Sequence, residues 1–412
     1  MRILLLITAA TILCFSCSNS PQPEKGLLEN ILENRGGVVE QVMKDPGKYR
    51  LQILYTQVDR DSLNRPHFTT SGFRVNEQEY FYPASTVKLP AAILALEKLN
   101  NLGTPNLDRH TTMLTDSAYS GQSSVMTDST SATGFPSIGH YIRKIFLVSD
   151  NDAFNRLYEF IGQGPFNREL QVKGFAGTRI LHRLSIFLTP DENRHTNPVN
   201  FMYDGEKIYW QPLIYNDRPV PLPDAVFIGK GDMMDDSVLV MKPKDFTGKN
   251  AFPLMDQHLL LREVMFPGSV DGKPKFNLTD NDYQFLYQAM SELPSESVYP
   301  AYDSTHYYDS YVKFLMFGDS KKKIPEHIRI YNKVGAAYGF LIDNAYIVDK
   351  KSGVEFFLSA SIYVNENEIF NDEVYEYDTI GFPFLGELGR IIYDFELNRP
   401  RKFRPVFTDQ LR

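Results

Sequence analysis

The run from Phe81 to Leu99, FYPASTVKLPAAILALEKL, constrains the fold more than any other stretch. An aromatic, strand-like entry reaches Pro83, and a helix-like run apolar enough for a core follows. Ser85 and Lys88 open that helix one turn apart, so both side chains lie on one face. Two readings are open. The pair is an activated nucleophile with its base, or the ordinary polar first turn of a core helix. Pro90 complicates either, because a proline beyond the first turn loses a hydrogen bond and kinks a helix.

The chain has 412 residues, room for one large domain or two ordinary ones. Its net charge of −8, with no basic block beyond the short Lys321–Lys323, gives no surface for nucleic acid. MRILLLITAATILCFSC has an early Arg2 and an apolar run too short to span a bilayer comfortably. Ending on Ser16-Cys17, it resembles a bacterial lipoprotein signal, with Cys17 as the lipidated first mature residue; a plain secretory signal with a chance cysteine is the alternative. The resemblance implies an exported protein, lipid-anchored in the cell envelope, in the periplasm or at the outer membrane. Cys14 and Cys17 are the only cysteines, so the folded body has no disulfide and no cysteine metal site, and its stability comes from packing. The domain plan is therefore 1–17 signal and lipobox, 18–45 tether and first helix, and 46–412 folded domain.

LLENILENRGGVVEQVMKD reads as the first helix, broken at Gly36-Gly37. YRLQILYTQVDRD and HFTTSGFRV read as two strands, and IRIYNKVG, YGFLIDNAYIVD and VEFFLSASIYVN as three more near the end. SIGHYIRKIFLVSDNDAFNRLYEFIG carries two helical patterns that meet at Ser149-Asp150-Asn151, and GFPFLGELGRIIYDFEL reads as a closing amphipathic helix. Strands at both ends with helices between predict one α+β unit whose sheet joins the termini. Residues 203–318 resist placement, apart from a hairpin in YDGEKIYWQPLIYND and a helix in LTDNDYQFLYQAMSEL.

There is no HExxH, no G-x-S-x-G, and Gly229-Lys230-Gly231 lacks the rest of a nucleotide loop. S-x-x-K occurs three times, at Ser85–Lys88, Ser310–Lys313 and Ser320–Lys323. A serine hydroxyl needs a neighbour to take its proton, and a desolvated lysine of lowered pKa can do so. Only Ser85 has a proline ahead and an apolar helix behind. Two further triplets complete a pattern. Ser149-Asp150-Asn151 sits at a helix junction and could be a plain cap; Lys333-Val334-Gly335 ends a strand and could be a surface lysine.

Taken in order, S-x-x-K, S-D-N and K-V-G resemble the penicillin-recognising serine enzymes, most of all the class A β-lactamase family. The resemblance runs from about Leu51 to Phe395 and implies an antiparallel sheet of about five strands, flanking helices and a helical subdomain. It implies Ser85 as nucleophile, Lys88 as its base, Ser149 as proton relay, Asn151 on the substrate amide and Lys333 facing a substrate carboxylate. The backbone N–H groups of Ser85 and Ala336, just past Gly335, would form the oxyanion hole. No metal or cofactor is implied. Lys351-Ser352-Gly353 fits K-[S/T]-G better as letters, but it lies in a hairpin turn with one strand to follow, so Lys333 is preferred.

Three departures qualify the resemblance. Val334 stands where a hydroxyl residue is usual. In the loop Gly177–Pro198 the family's water-activating glutamate should fall between His182 and Ser185, where HRLS has no carboxylate; only Glu192 or Asp191 could serve, in a differently folded loop. The gap from Ser149 to Lys333 is far longer than the family's, an insertion over about 203–319 whose aromatics (Tyr209, Trp210, Tyr215, Tyr307, Tyr308, Tyr311) read as packing. The resulting expectation is a serine hydrolase working through an acyl-serine on a β-lactam or related amide. A D-Ala-D-Ala peptidase, a penicillin-binding protein or an esterase is the near alternative. A catalytically silent lipoprotein that binds a wall fragment or a protein is the alternative of another class.

Overall fold

Strands rich in β-branched and aromatic residues pair best when both faces are covered, and here five of them form one antiparallel sheet. The computed structural model describes residues 26–234, 238–269 and 272–407; the signal and Cys17 lie outside them. The sheet strands are β1 (Gln52–Arg60), β2 (Pro66–Phe73), β3 (Ile328–Ala337), β4 (Phe340–Asp349) and β5 (Val354–Tyr363). Their spatial order is β3-β4-β5-β1-β2, so β5 and β1 tie the two ends of the chain together in register from Gln52↔Ser361 to Gln57↔Phe356. Every residue of β4 and β5 is buried, because helices cover both faces.

One face carries the N-terminal helices Leu27–Leu32 and Gly37–Lys44 and the closing helix Phe382–Asn398, packed on Ile53, Ile330, Leu341, Ile347 and Leu358. The break between the first two falls at Gly36-Gly37, both at positive φ (74° and 57°). The other face carries the larger core. Helices α1 (Lys88–Leu102), α2 (Ile138–Leu147), α3 (Asn151–Ile161), α4 (Leu254–Met265) and α5 (Asp280–Ser291) pack there against Tyr331, Tyr346 and Phe357.

Two of those helices come from residues 203–318: α5 is the helix expected in LTDNDYQFLYQAMSEL, and α4 was not foreseen. α4 lies on the sheet, where His258 bridges Thr56 Oγ1 and Ser359 Oγ at 2.7 Å each. The hairpin is shifted from its expected position: Val199–Tyr203 pairs with Glu206–Gln211 around Asp204-Gly205, whereas Ile214–Tyr215 pairs with His195–Thr196. The turn takes the first Asp-Gly that the chain offers, as hairpins favour.

Candidate active site

The residue before the nucleophile candidate sets its posture. Ala84 has φ +46°, a left-handed conformation costly for a residue with a Cβ, and a 3₁₀ turn Ala84–Val87 follows. That turn presents Ser85 while every other residue from Phe81 to Glu97 is buried. It also explains Pro90. The α-helix proper begins at Lys88, so the proline falls within the first turn, where N–H groups have no helical partner.

Lys88 is fully buried, and its Nζ lies 2.8 Å from Ser85 Oγ, 3.2 Å from Ser149 Oγ and 2.7 Å from Asn151 Oδ1, with the Ser149 carbonyl also in reach. Burial, and after it the charge of Lys333, hold this amine well below the ordinary lysine range. From the other side Lys333 Nζ donates to Ser149 Oγ at 2.9 Å and to the Val334 carbonyl at 3.0 Å. The result is a polar chain Ser85–Lys88–Ser149–Lys333, in which a neutral amine can take the hydroxyl proton and pass it on. Ser149 is itself left-handed at φ +60°, and Asp150 caps α3 through the Ala153 N–H at 2.8 Å. Capping and site geometry thus share one triplet: Asp150 is the cap, and Ser149 and Asn151 face Ser85.

Gly335 is required by contact rather than by φ. A Cβ there would stand 2.6 Å from the Pro83 carbonyl oxygen and 3.1 Å from Ser85 N. β3 therefore runs close beside the Ser85 turn, and Ala336 lines the same cleft as Ser85, Ser149 and Asn151. Lys351–Gly353 occupies the β4–β5 turn, away from this cleft. The other two S-x-x-K pairs do different work. Lys313 Nζ donates to the Met290 and Ile330 carbonyls and Asn332 Oδ1, and Ser310 Oγ turns to the Ser320 carbonyl. Ser320 Oγ accepts from the Lys322 N–H in an exposed loop.

The loop Gly177–Pro198 is held by a buried ion triad: Glu159 meets Arg183 at 2.8 Å and Arg156 at 2.9 Å. Asn155 clasps the backbone of Leu184, donating to its carbonyl and accepting from its N–H. Ser185, at φ +51°, accepts from Asn151 Nδ2 at 2.7 Å. The loop thus reaches the site with a hydroxyl where a carboxylate was sought. Glu192 is spent on the Thr189 cap and Ser120, and Asp191 on Tyr119.

The cleft, about 510 Å³, has a wall that the sequence reading took for packing: Tyr307, Tyr308 and Tyr311, with Phe382 beside them. They do pack on one another, edge to face, and they also line the cleft. What could have flagged them is Lys313, a lysine too apolar in its surroundings to be a surface residue.

Burial also couples the site to stability. Lys333 and Lys313 are each brought down to about 7, chiefly by desolvation, whereas the unfolded chain keeps those protons to near 10.5. Between these values the unfolded state binds more protons, so stability rises with pH, by up to about 1.4 kcal/mol per unit for each lysine. Below about pH 7 the cost of charging both in the folded protein is fully present. Denaturant unfolding at pH 7 and pH 9 should show higher stability at pH 9, with a smaller rise in Lys333→Met. An equal or greater rise in the variant contradicts this.

Residues 39–215 match the family model described as "Beta-lactamase enzyme family". That segment contains Ser85, Lys88, Ser149 and Asn151 but not Lys333 or the tyrosine wall. No curated protein matches the chain. Among solved structures, a beta lactamase from Xanthomonas campestris pv. campestris is 14% identical, with a TM-score of 0.50 over 89% of this chain and 98% of that one, a likeness of fold. PBP-A is 13% identical, with TM-score 0.47 over 89% and 93%. A class A beta-lactamase from Clostridium kluyveri is also 13% identical, with TM-score 0.47 over 86% and 97%.

Proposed function

We propose, for a chain whose residues 39–215 match a beta-lactamase family model and whose fold is beta-lactamase-like, a serine hydrolase that works through an acyl-serine on Ser85. The observation that carries this reading is the buried, deprotonation-prone Lys88 amine 2.8 Å from Ser85 Oγ. Lys88 takes the Ser85 proton as Oγ attacks the carbonyl. Ser149, held between Lys88 and Lys333, relays that proton to the leaving nitrogen or oxygen. The N–H groups of Ser85 and Ala336 hold the oxyanion, and Asn151 orients the acyl amide. β-Lactams and related amides or esters are the acyl donors, and we place the protein in the cell envelope, anchored through Cys17.

The missing carboxylate shapes the second half of the cycle. Water must be activated by Lys88 itself, since Ser185 and Leu184 stand where a glutamate would act. Deacylation is then the slow step, which favours penicillin-binding behaviour over efficient β-lactamase turnover. The test is a chase: acylate the protein with a β-lactam, remove the excess, and follow the adduct mass against hydrolysed product. An adduct outlasting many acylation half-times is expected. Loss as fast as formation, with product accumulating, would show an efficient water activator and overturn this half of the account.

The rival binding-only reading is disfavoured by the same lysine. Burying an amine beneath a hydroxyl is costly, and a binding surface has no use for it.

A further inference from the structure

Beside Ser85, Ser149, Asp150 and Asn151, the cleft is lined by an aromatic group, Tyr307, Tyr308, Tyr311, Phe314 and Phe382. Tyr307 and Tyr311 meet at 5.0 Å between centroids and Tyr308 and Tyr311 at 6.0 Å, both edge to face. Such a wall offers ring faces and edges to an aromatic guest. It is also firmly held: the buried Lys313 ties its segment to the Met290 and Ile330 carbonyls, and Asp343 accepts from the Phe314 and Leu315 N–H groups at 3.0 and 2.9 Å.

The charges of the cleft point the same way. No lysine or arginine lines it, and its one carboxylate is Asp150. Lys333 is buried behind Ser149, with its donors directed to Ser149 Oγ and the Val334 carbonyl. Val334 brings no hydroxyl to the strand edge. Lys321, exposed, sits over the Tyr308 ring at 5.1 Å and is not part of the lining. A carboxylate entering here would lose its hydration and find hydroxyl groups but no cation in the lining, whose single charge, Asp150, is already paired with Lys144 at 3.6 Å, a poor exchange.

We propose, resting on the acyl-serine reading, that the cleft takes acyl donors with an aromatic side chain and no carboxylate beside the scissile bond. With a neutral β-lactam the step balances simply. The Ser85 Oγ–acyl bond forms, the lactam C–N bond breaks, and the serine proton ends on the ring nitrogen through Lys88 and Ser149.

The test compares three compounds on the purified protein by adduct mass against time: penicillin G, its methyl ester, and the methyl ester whose phenylacetyl group is replaced by acetyl. A fluorophosphonate in parallel reports the reactivity of Ser85 alone. The methyl ester of penicillin G should acylate Ser85 at least tenfold faster than the free acid and at least tenfold faster than the acetyl analogue. Tyr311→Ala should raise the half-saturating concentration for the phenylacetyl ester and erase its advantage over the acetyl one; Tyr311→Phe should restore it. Faster or equal acylation by the free acid overturns the proposal, as does an unchanged preference in a folded Tyr311→Ala. Fluorophosphonate labelling without any β-lactam adduct overturns it too but leaves Ser85 a nucleophile. No labelling by any compound overturns the acyl-serine reading, and this proposal with it.

Discussion

Lys88→Met should slow acylation of Ser85 by roughly 10²- to 10⁴-fold, the range for loss of a positioned general base. The methionine keeps the apolar stem inside the helix, so packing around α1 changes little. What disappears is the one group within hydrogen-bond reach of Ser85 Oγ among the described residues. Lys88→Arg should fail as well, because a guanidinium does not give up its proton at any useful pH. Lys88→Met leaves the Ser149 carbonyl and Asn151 Oδ1 short of a donor, and Lys88→Arg must fit a bulkier guanidinium into the same buried space, so denaturant unfolding belongs beside the kinetics. Acylation near the wild-type rate in a folded Lys88→Met protein would remove the lysine from the mechanism.

Gly335→Val should be nearly as damaging, for a geometric reason. Its Cβ would press to 2.6 Å from the Pro83 carbonyl and 3.1 Å from Ser85 N, both backbone atoms that cannot swing away. Either β3 or the Ser85 turn must move, and the two N–H groups assigned to the oxyanion then separate. Losing one such donor costs about 10²–10³ in rate. Overpacking adds about 1–3 kcal/mol of destabilisation. Rapid-mixing acylation and unfolding, measured on the same preparation, separate the two effects. A variant that acylates normally would show that β3 is not half of the oxyanion site.

The sheet was legible because its strands announce themselves locally: IRIYNKVG, YGFLIDNAYIVD and VEFFLSASIYVN are continuous β-formers between polar turns. Their number then distinguished Lys333, with two strands still to come, from Lys351 in a turn. The turn that presents Ser85 was legible through its context, an apolar helix behind a proline, although Pro90 looked like an obstacle until the 3₁₀ turn moved the helix start. Ser149 and Asn151 were harder to separate from a cap, and the structure makes Asp150 the cap and sets Ser149 Oγ and Asn151 Oδ1 against the Lys88 amine.

The tyrosine wall was illegible for a different reason. Residues 307–318 form little regular structure, and their positions depend on Lys313 reaching α5 and β3 and on Asp343 bonding two backbone N–H groups. Those contacts are distant in sequence and carry no periodic signal. The same holds for α4, whose polar His258 is explained only once Thr56 and Ser359 are seen on either side of it.

The most direct measurement is intact-protein mass against time for wild type and Ser85→Ala, each mixed with penicillin G and with its methyl ester. The account predicts an adduct of one acyl group on wild type and none on Ser85→Ala, with the mass located on a peptide containing Ser85. An adduct on both proteins, or on neither with either compound, would contradict the assignment of Ser85 as the nucleophile.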